Sequence, residues 1–382
     1  MERDLFLRKY RIEQEDFDAA GVSWEELTAI ADHYATIEGK LREIGKDFVD
    51  KYLYDIEKAG IHSYRYRTKA PGHLLEKIIR KKKEQPEKFA QLGVDNYWKY
   101  VTDLIGIRVF FLYREDWIYF HKYITTVFEN DPSIYVKDRG RDFDEDPSHC
   151  YIAERPKVYR RNGDTRIYDE KLIDIKSDGI YRSLHYIIKY KGYYVEIQGR
   201  TLFEEGWSEI DHDIVYPYYQ DDEMLSDFST LLNRLAGMAD EMSSYFRRIK
   251  QQYFREQLAP LGFQPMDGMI LYLLWGGNCL RQEDIAAQTA LDKGAVARSV
   301  ARLEERGLVE RWVSDQCRRE KQVSLTPAGE ERAGAVQKIL ESWNDICCRG
   351  FSSEERTLYN SFLSRIIENV MQYKRGEEGD DG

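Results

Sequence analysis

Apolar residues return every three or four positions through the first 60 residues of the chain. Trp24, Leu27, Ile30 and Ala31, then Tyr34, Ile37, Leu41, Ile44 and Phe48, fall on one stripe of an α-helix. Ser23 with Glu26 three positions on predicts a capping box at its start. A second helix, rich in Lys and Arg, is predicted from Pro71 to Lys83. The period then shortens. Ile107 to Leu112 reads as a strand, and Leu184 to Tyr190 and Tyr193 to Gln198, separated by Lys191-Gly192, read as a hairpin. Between Asp131 and Asp178 the chain is polar and carries Pro132, Pro147 and Pro156. Few structureless loops inside a domain are that long, so residues 131–178 are read as an insertion with a small hairpin of its own.

A longer helix follows. Phe228, Leu231, Leu232, Leu235, Met238, Met242, Tyr245, Phe246 and Ile249 keep an apolar stripe over six turns, suited to a domain bridge or a dimer seam. Pro260, Gly262 and Pro265 then break the chain, and a domain boundary is placed there. Beyond it, Met266–Trp275, Arg281–Thr289, Asp292–Arg306 and Glu330–Cys347 read as helices, Leu308–Leu325 as a β-hairpin, and Ser353–Tyr373 as a last helix. The expected organisation is a helical region over 1–60 that packs on a domain over 61–255, a second domain over 256–375, and a disordered acidic tail over 376–382.

Composition narrows the class. At 382 residues two or three domains are expected. No apolar run approaches the roughly 18 residues of a membrane helix, and Met1-Glu2-Arg3-Asp4 does not begin a signal peptide. The expectation is a cytoplasmic protein without membrane contact. Cys150, Cys279, Cys317, Cys347 and Cys348 show no Cys-x-x-Cys pair and no His partner at zinc spacing, and the adjacent Cys347 and Cys348 read as half-buried helix positions rather than an oxidant sensor. The net charge of −11 argues against non-specific nucleic-acid binding by the whole chain, though not by one basic face.

The candidate chemistry lies on the strands. Alternation along Tyr193–Gln198 puts Val195 and Ile197 on one face and Glu196 and Gln198 on the other, with Arg200 extending the polar side. Asp103 precedes the strand of Ile107, so a second carboxylate is held at a sheet edge. Two such carboxylates suit Mg²⁺ and phosphates, and Arg67, Lys69, Lys77, Arg80 and Lys81 offer the cations that triphosphates need.

The ordered motifs Arg67-x-Lys69, Asp103-Leu-Ile-Gly-Ile-Arg108, Tyr181-Arg-Ser-Leu-His185, Glu196-Ile-Gln-Gly-Arg200-Thr and Trp207-Ser-Glu-Ile-Asp-His212 resemble the RelA/SpoT synthetase domain, over about residues 40–250. That resemblance implies pyrophosphate transfer from ATP to the 3′-hydroxyl of a guanosine nucleotide, making (p)ppGpp. It also implies an α+β fold with a nucleotidyltransferase-like mixed sheet flanked by helices. By position, Asp103 resembles the Mg²⁺-binding aspartate, and Glu196 the glutamate that shares the metal and activates the acceptor. Arg67 and Arg108 match arginines that sandwich the adenine, and Lys69 and Lys77 match phosphate contacts. Tyr181 matches a tyrosine that stacks on the acceptor base, with His185, Gln198 and Arg200 in the same pocket. The chain departs from the pattern at Gly179-Ile180, at His73 and in the length between Asp103 and Tyr181. Those departures leave the acceptor open: GDP, GTP, GMP, an adenosine nucleotide or the 3′ end of tRNA. About 60 residues precede the motifs and hold no His-Asp dipeptide, so no hydrolase activity is expected.

Downstream, residues 281–325 read as a helix-turn-helix with a wing. The run Asp292 to Arg311, with Leu325-Thr326-Pro327-x-Gly329, resembles a MarR-type winged helix over about residues 255–375. The resemblance implies a mainly helical, dimerising DNA-binding domain, with Arg298 and Arg302 one turn apart on the second helix and Arg318 and Arg319 at the wing. The leading expectation is therefore a Mg²⁺-dependent GTP/GDP pyrophosphokinase joined to a DNA-binding, homodimeric module. The alternatives are a toxin that pyrophosphorylates tRNA and a regulator that senses a nucleotide without turnover.

Overall fold

A computed structural model describes residues 2–160, 167–177, 181–214, 222–289, 293–313, 321–362 and 364–365. The chain divides into two compact units, Met1–Arg248 and Ile249–Gly382.

In the first unit, helices α1 (Arg3–Lys9), α2 (Gln14–Ala19), α3 (Trp24–Tyr52) and α4 (Ile56–Ala59) precede strand β1 (Ser63–Thr68). Then come α5 (Pro71–Glu84), α6 (Pro86–Phe89), α7 (Tyr97–Tyr100), β2 (Ile105–Phe111) and α8 (Trp117–Val127). Short strands β3 (Tyr151–Ile152), β4 (Lys157–Arg160) and β5 (Asp174–Ser177) lead to the hairpin β6 (Ser183–Tyr190) and β7 (Tyr193–Thr201). Helix α9 (Leu202–Ile214) follows, and then α10 (Glu223–Leu258), which begins in this unit and ends past Arg248. The stripe read on the first long helix is real: Leu27, Ile30, Tyr34, Leu41 and Phe48 are buried, and the Ser23 hydroxyl accepts the Glu26 N–H at 3.1 Å.

The sheet is mixed, in the order β1-β2-β7-β6-β4-β5, with β3 also on β6. β2 and β7 are parallel; β1–β2, β6–β7 and β4–β6 are antiparallel. One face is apolar. Ile105, Ile107, Val109, Val195, Ile197, Leu184, Tyr186 and Ile188 are buried there. Gly45 of α3 lies close to Tyr66 and Ile105, and Phe120 of α8 meets Tyr186 edge-on at 5.6 Å between ring centres. Apolar surface buried in this layer stabilises the unit by about 25 cal/mol per Å².

The insertion corrects an expectation. Among the described residues of 131–178 there is no separate hairpin: β4 joins the main sheet antiparallel to β6, and β5 lies parallel to β4. Without them the backbone groups of β6 on that side would stand unpaired, and main-chain hydrogen bonding favours extending an existing sheet over starting an isolated pair.

The second unit holds α11 (Pro265–Leu274), β8 (Leu280–Arg281), α12 (Gln282–Thr289), α13 (Lys293–Glu305), β9 (Val309–Val313), β10 (Lys321–Leu325) and α14 (Pro327–Cys347). The β-hairpin gains a third strand, giving the order β8-β10-β9. Thr326 caps α14 by accepting the Gly329 N–H at 3.0 Å, with Pro327 at the first helical position. The helix predicted from Ser353 is helical over 353–362, and its end at Tyr373 lies outside the described residues. The fold is α+β with a helix-flanked mixed sheet, plus a winged-helix unit.

Candidate active site

Register sets the site. Arg67 of β1 pairs with Gly106 of β2, and Gly106 with Glu196 of β7. One row along, Arg65, Arg108, Gln198, His185 and Lys157 stand opposite one another on five successive strands. Side chains in such rows share a face, so this is the polar side that the alternation of β7 predicts. Gly106 leaves a pit between Arg67 and Glu196: a Cβ there would meet nothing nearer than the Arg67 carbonyl at 3.9 Å.

The pit is lined by Arg65, Arg67, Lys69, Asp103, Arg108, Glu196 and Gln198. It adjoins a cleft of about 860 Å³ bordered also by Lys77, Tyr181, Arg200 and residues of α9. Asp103 is clamped by two lysines. Lys69 Nζ donates to Oδ2 at 2.8 Å, and Lys77 Nζ lies 2.8 Å from Oδ1 in an ion pair without hydrogen-bond alignment. Burial pushes the Asp103 carboxyl upward, but the Lys77 and Lys69 ammoniums outweigh it and hold it well below the usual range. Glu196 is also buried, which raises its pKa. The neighbouring His185, with Nδ1 3.7 Å from Oε1, more than compensates, and the carboxyl stays below the ordinary value. Gln198 donates to the other Glu196 oxygen at 3.0 Å. Both carboxylates are therefore ionised at neutral pH.

The basic residues divide. Burial and the neighbouring Arg108 lower the pKa of Arg67, and no ion pair engages it among the described residues. Arg108 is held by Glu205 at 2.6 Å and by Glu209, and Arg65 by Glu205 at 2.9 Å. Arg80 pairs with Glu76 along α5 and still borders the cleft, whereas Lys81 turns to Glu84 and lines neither the pit nor the cleft.

On the other side, Arg200 is almost fully buried. It donates to the Tyr181 hydroxyl at 2.9 Å, Gln198 Oε1 at 3.1 Å, Glu205 at 3.0 Å and the Ser208 hydroxyl at 2.6 Å. Tyr181 also lies 3.2 Å from His185 Nε2. In the second unit Arg298 is exposed on α13. Arg302 instead reaches the buried Asp267 of α11 at 2.8 Å and Gln264 at 3.2 Å, which occupies it inside the unit. Arg318 and Arg319 lie outside the described residues.

Residues 66–221 match the region found in RelA/SpoT proteins, and residues 261–320 match the MarR family. The chain joins a RelA/SpoT region to a MarR-family region. Uncharacterized HTH-type transcriptional regulator YybA of Bacillus subtilis (strain 168) is 23% identical over 120 residues, 30% of this chain and 80% of that protein. For YdgJ of the same organism the identity is 31% over 101 residues, 26% of this chain and 62% of the relative. The crystal structure of MarR aligns at 28% identity and a TM-score of 0.32, over 36% of this chain and 92% of that one.

Three groups in the RelA/SpoT region escaped the sequence reading. Tyr159, from the insertion strand β4, stands edge-on to Tyr181 and His185, with ring centres at 5.5 and 5.1 Å. Nothing in its sequence context marks it, since its place depends on β4 pairing with β6. Glu205 and Glu209 were missed because their place depends on α9 meeting Arg65 of β1 and Arg108 of β2. The third group was legible. Thr201-Leu-Phe-Glu204 is a capping box: the Thr201 hydroxyl accepts the Glu204 N–H at 3.1 Å and the Glu204 carboxylate accepts the Thr201 N–H at 2.8 Å. It turns the end of β7 into α9.

Behind that turn Asp240 of α10 accepts from the Thr201 hydroxyl at 3.0 Å and pairs with Arg182 at 3.4 Å. Burial, then the Glu204 carboxylate, push Asp240 up to about 7 from the usual 3.8. The folded state thus holds a proton that the unfolded chain releases. This contribution is full below about pH 4 and lost as pH rises towards 7. Asp240→Asn is expected to remove this contribution, seen as a smaller loss of β6 and β7 amide protection from pH 5 to pH 8 than in the parent chain. An unchanged pH dependence would contradict the assignment.

Proposed function

We propose that the RelA/SpoT region is a Mg²⁺-dependent pyrophosphokinase that transfers pyrophosphate from ATP to the 3′-hydroxyl of GDP or GTP. The observation that carries this reading is the meeting of two ionised carboxylates, Asp103 and Glu196, with Lys69 and Arg67 at one pit and with Lys77 in the cleft that adjoins it.

No three-ligand metal cluster occurs among the described residues. The donor set still fits Mg²⁺, which is bound by one or two carboxylates plus substrate phosphates. Bound there by Asp103 and Glu196, the ion would neutralise charge on the transferred phosphates. Lys69 and Lys77 would turn from Asp103 to the triphosphate. Arg67 and Arg108 would stack on the adenine, which asks Arg108 to leave Glu205 and Glu209. Tyr181, fixed by Arg200 and His185, would stack on the acceptor base. Glu196 would take the proton of the 3′-hydroxyl as its oxygen bonds to the β-phosphorus and the bond to AMP breaks.

The test is incubation of the chain with Mg²⁺, γ-labelled ATP and, in turn, GMP, GDP, GTP, adenosine nucleotides and tRNA. Label on a guanosine nucleotide supports the proposal. Label on tRNA would replace the acceptor. Tight nucleotide binding with no transfer would make the region a sensor.

The MarR-family region is proposed to bind DNA through α12 and α13, as part of a homodimer in the cytoplasm. Arg298→Ala is expected to weaken duplex binding about tenfold and to reduce its salt dependence, as loss of a phosphate contact does. Arg302→Ala is expected instead to destabilise the unit by about 2 kcal/mol, because the buried Asp267 loses a hydrogen-bond partner. The two effects separate in a binding titration and a denaturant series.

A further inference from the structure

Helix α10 is amphipathic in the reverse of the usual sense. The face turned to its own unit buries Ser229, Asn233, Asp240 and Ser244. The outward face carries Phe228, Leu231, Leu235, Met238, Met242 and Tyr245, each between 48% and 70% exposed. A lone helix in water would not keep six large apolar side chains on its outer face. Their positions advance in alternating steps of three and four residues, the a/d spacing of a helix that meets a second helix.

The flanks say which partner. On one side of the seam stand Asp227, Arg234, Glu241 and Arg248, alternating in sign one heptad apart. On the other stand Leu225, Leu232, Ala239 and Phe246, all apolar. A parallel copy would set the charged flank of each helix against the apolar flank of the other. Reversing the copy brings like flanks together. With a two-fold axis between Ala236 and Gly237, the seam layers pair Phe228 with the partner's Tyr245, Leu231 with the partner's Met242 and Leu235 with the partner's Met238. The same register puts Asp227 beside the partner's Arg248, Arg234 beside the partner's Glu241, and Leu225 beside the partner's Phe246. Seam, charged flank and apolar flank satisfy one register, which a chance apolar patch has no reason to do.

We propose that the exposed face of α10 pairs antiparallel with α10 of a second copy of this chain. The pairing is independent of the winged helix and of any catalysis. It is tested in the full chain by co-expressing a Leu235→Cys chain with a Met238→Cys chain and oxidising the mixture. The expected result is a disulfide joining the two substituted peptides, identified by mass, with no such link when either variant is expressed alone. In the antiparallel register position 235 is offset from its own copy by three residues, too far for a disulfide. Self-linking of the Leu235→Cys chain would show a parallel pair and overturn the proposal. Absence of the mixed link would overturn it too, leaving the face to another occupant, the chain's own second unit included. In the cross-linking background, Arg234→Glu is expected to lower the yield severalfold, and adding Glu241→Arg to the same chain to restore it. Failure of that rescue would sink the register.

Discussion

Asp103→Asn is expected to lower kcat for pyrophosphate transfer by at least about a thousandfold, the scale of losing a group that stabilises transferred charge. The reason lies in its surroundings. Asp103 stays charged because Lys77 and Lys69 hold it, each at 2.8 Å. Asparagine removes the charge that would hold Mg²⁺ but leaves both ammoniums for the triphosphate. The KM for ATP should therefore not rise while kcat collapses. Glu196→Gln should cost about 10²- to 10⁴-fold, the range for a general base. Gln198 can still meet the glutamine oxygen, but the proton acceptor is gone. Because Glu196 has a lowered pKa, the parent enzyme should lose rate only on the acid side of its usual range, and that limb should vanish in Glu196→Gln. Steady-state kinetics from pH 4 to 8 decides both points. Near-parental turnover in Asp103→Asn would end the assignment.

Gly199→Val is expected to destabilise the first unit by about 3 kcal/mol, the upper range for overpacking a core. Gly199 lies on the apolar side of β7. A Cβ there would stand 2.8 Å from the Phe111 ring and 3.2 Å from Leu184 Cβ. The ring is hemmed in by Phe120 at 5.9 Å, and Leu184 Cβ moves only with its strand. Gly106 offers the opposite case on the other face of the sheet. Gly106→Val has room, so it should leave stability nearly intact and raise the KM for ATP by filling the pit. Amide exchange of β6 and β7, set beside ATP kinetics, separates the two. Loss of activity without loss of stability in Gly199→Val would mean the strand faces have been assigned wrongly.

Much of the candidate site's arrangement is local and was legible. A period of two on Tyr193–Gln198 fixes which side chains share a face, because a strand alternates whatever its neighbours do. The capping box at Thr201 and Glu204 and the cap at Ser23 are equally local. The α10 stripe was visible as well, but its exposure was not: the chain does not say which face of a helix its own fold will cover.

Other features depend on which strands become neighbours. The insertion reads as a loop with its own hairpin, yet β4 pairs with β6 and carries Tyr159 to Tyr181 and His185. Glu205 and Glu209 look like surface carboxylates of a helix, yet α9 lays them on Arg108 and Arg65. Arg302 has the spacing of a DNA contact and is drawn instead to a carboxylate 35 residues earlier in the chain. In each case the partner is distant in sequence, and pairing energy is realised only once the loop between them has closed. Sequence alone determined the periods, the caps, the order of the motifs and the residue types available for chemistry. Only the tertiary structure decided the register that sets Arg67, Gly106 and Glu196 in one row, and which of the charged groups remain free to meet a ligand.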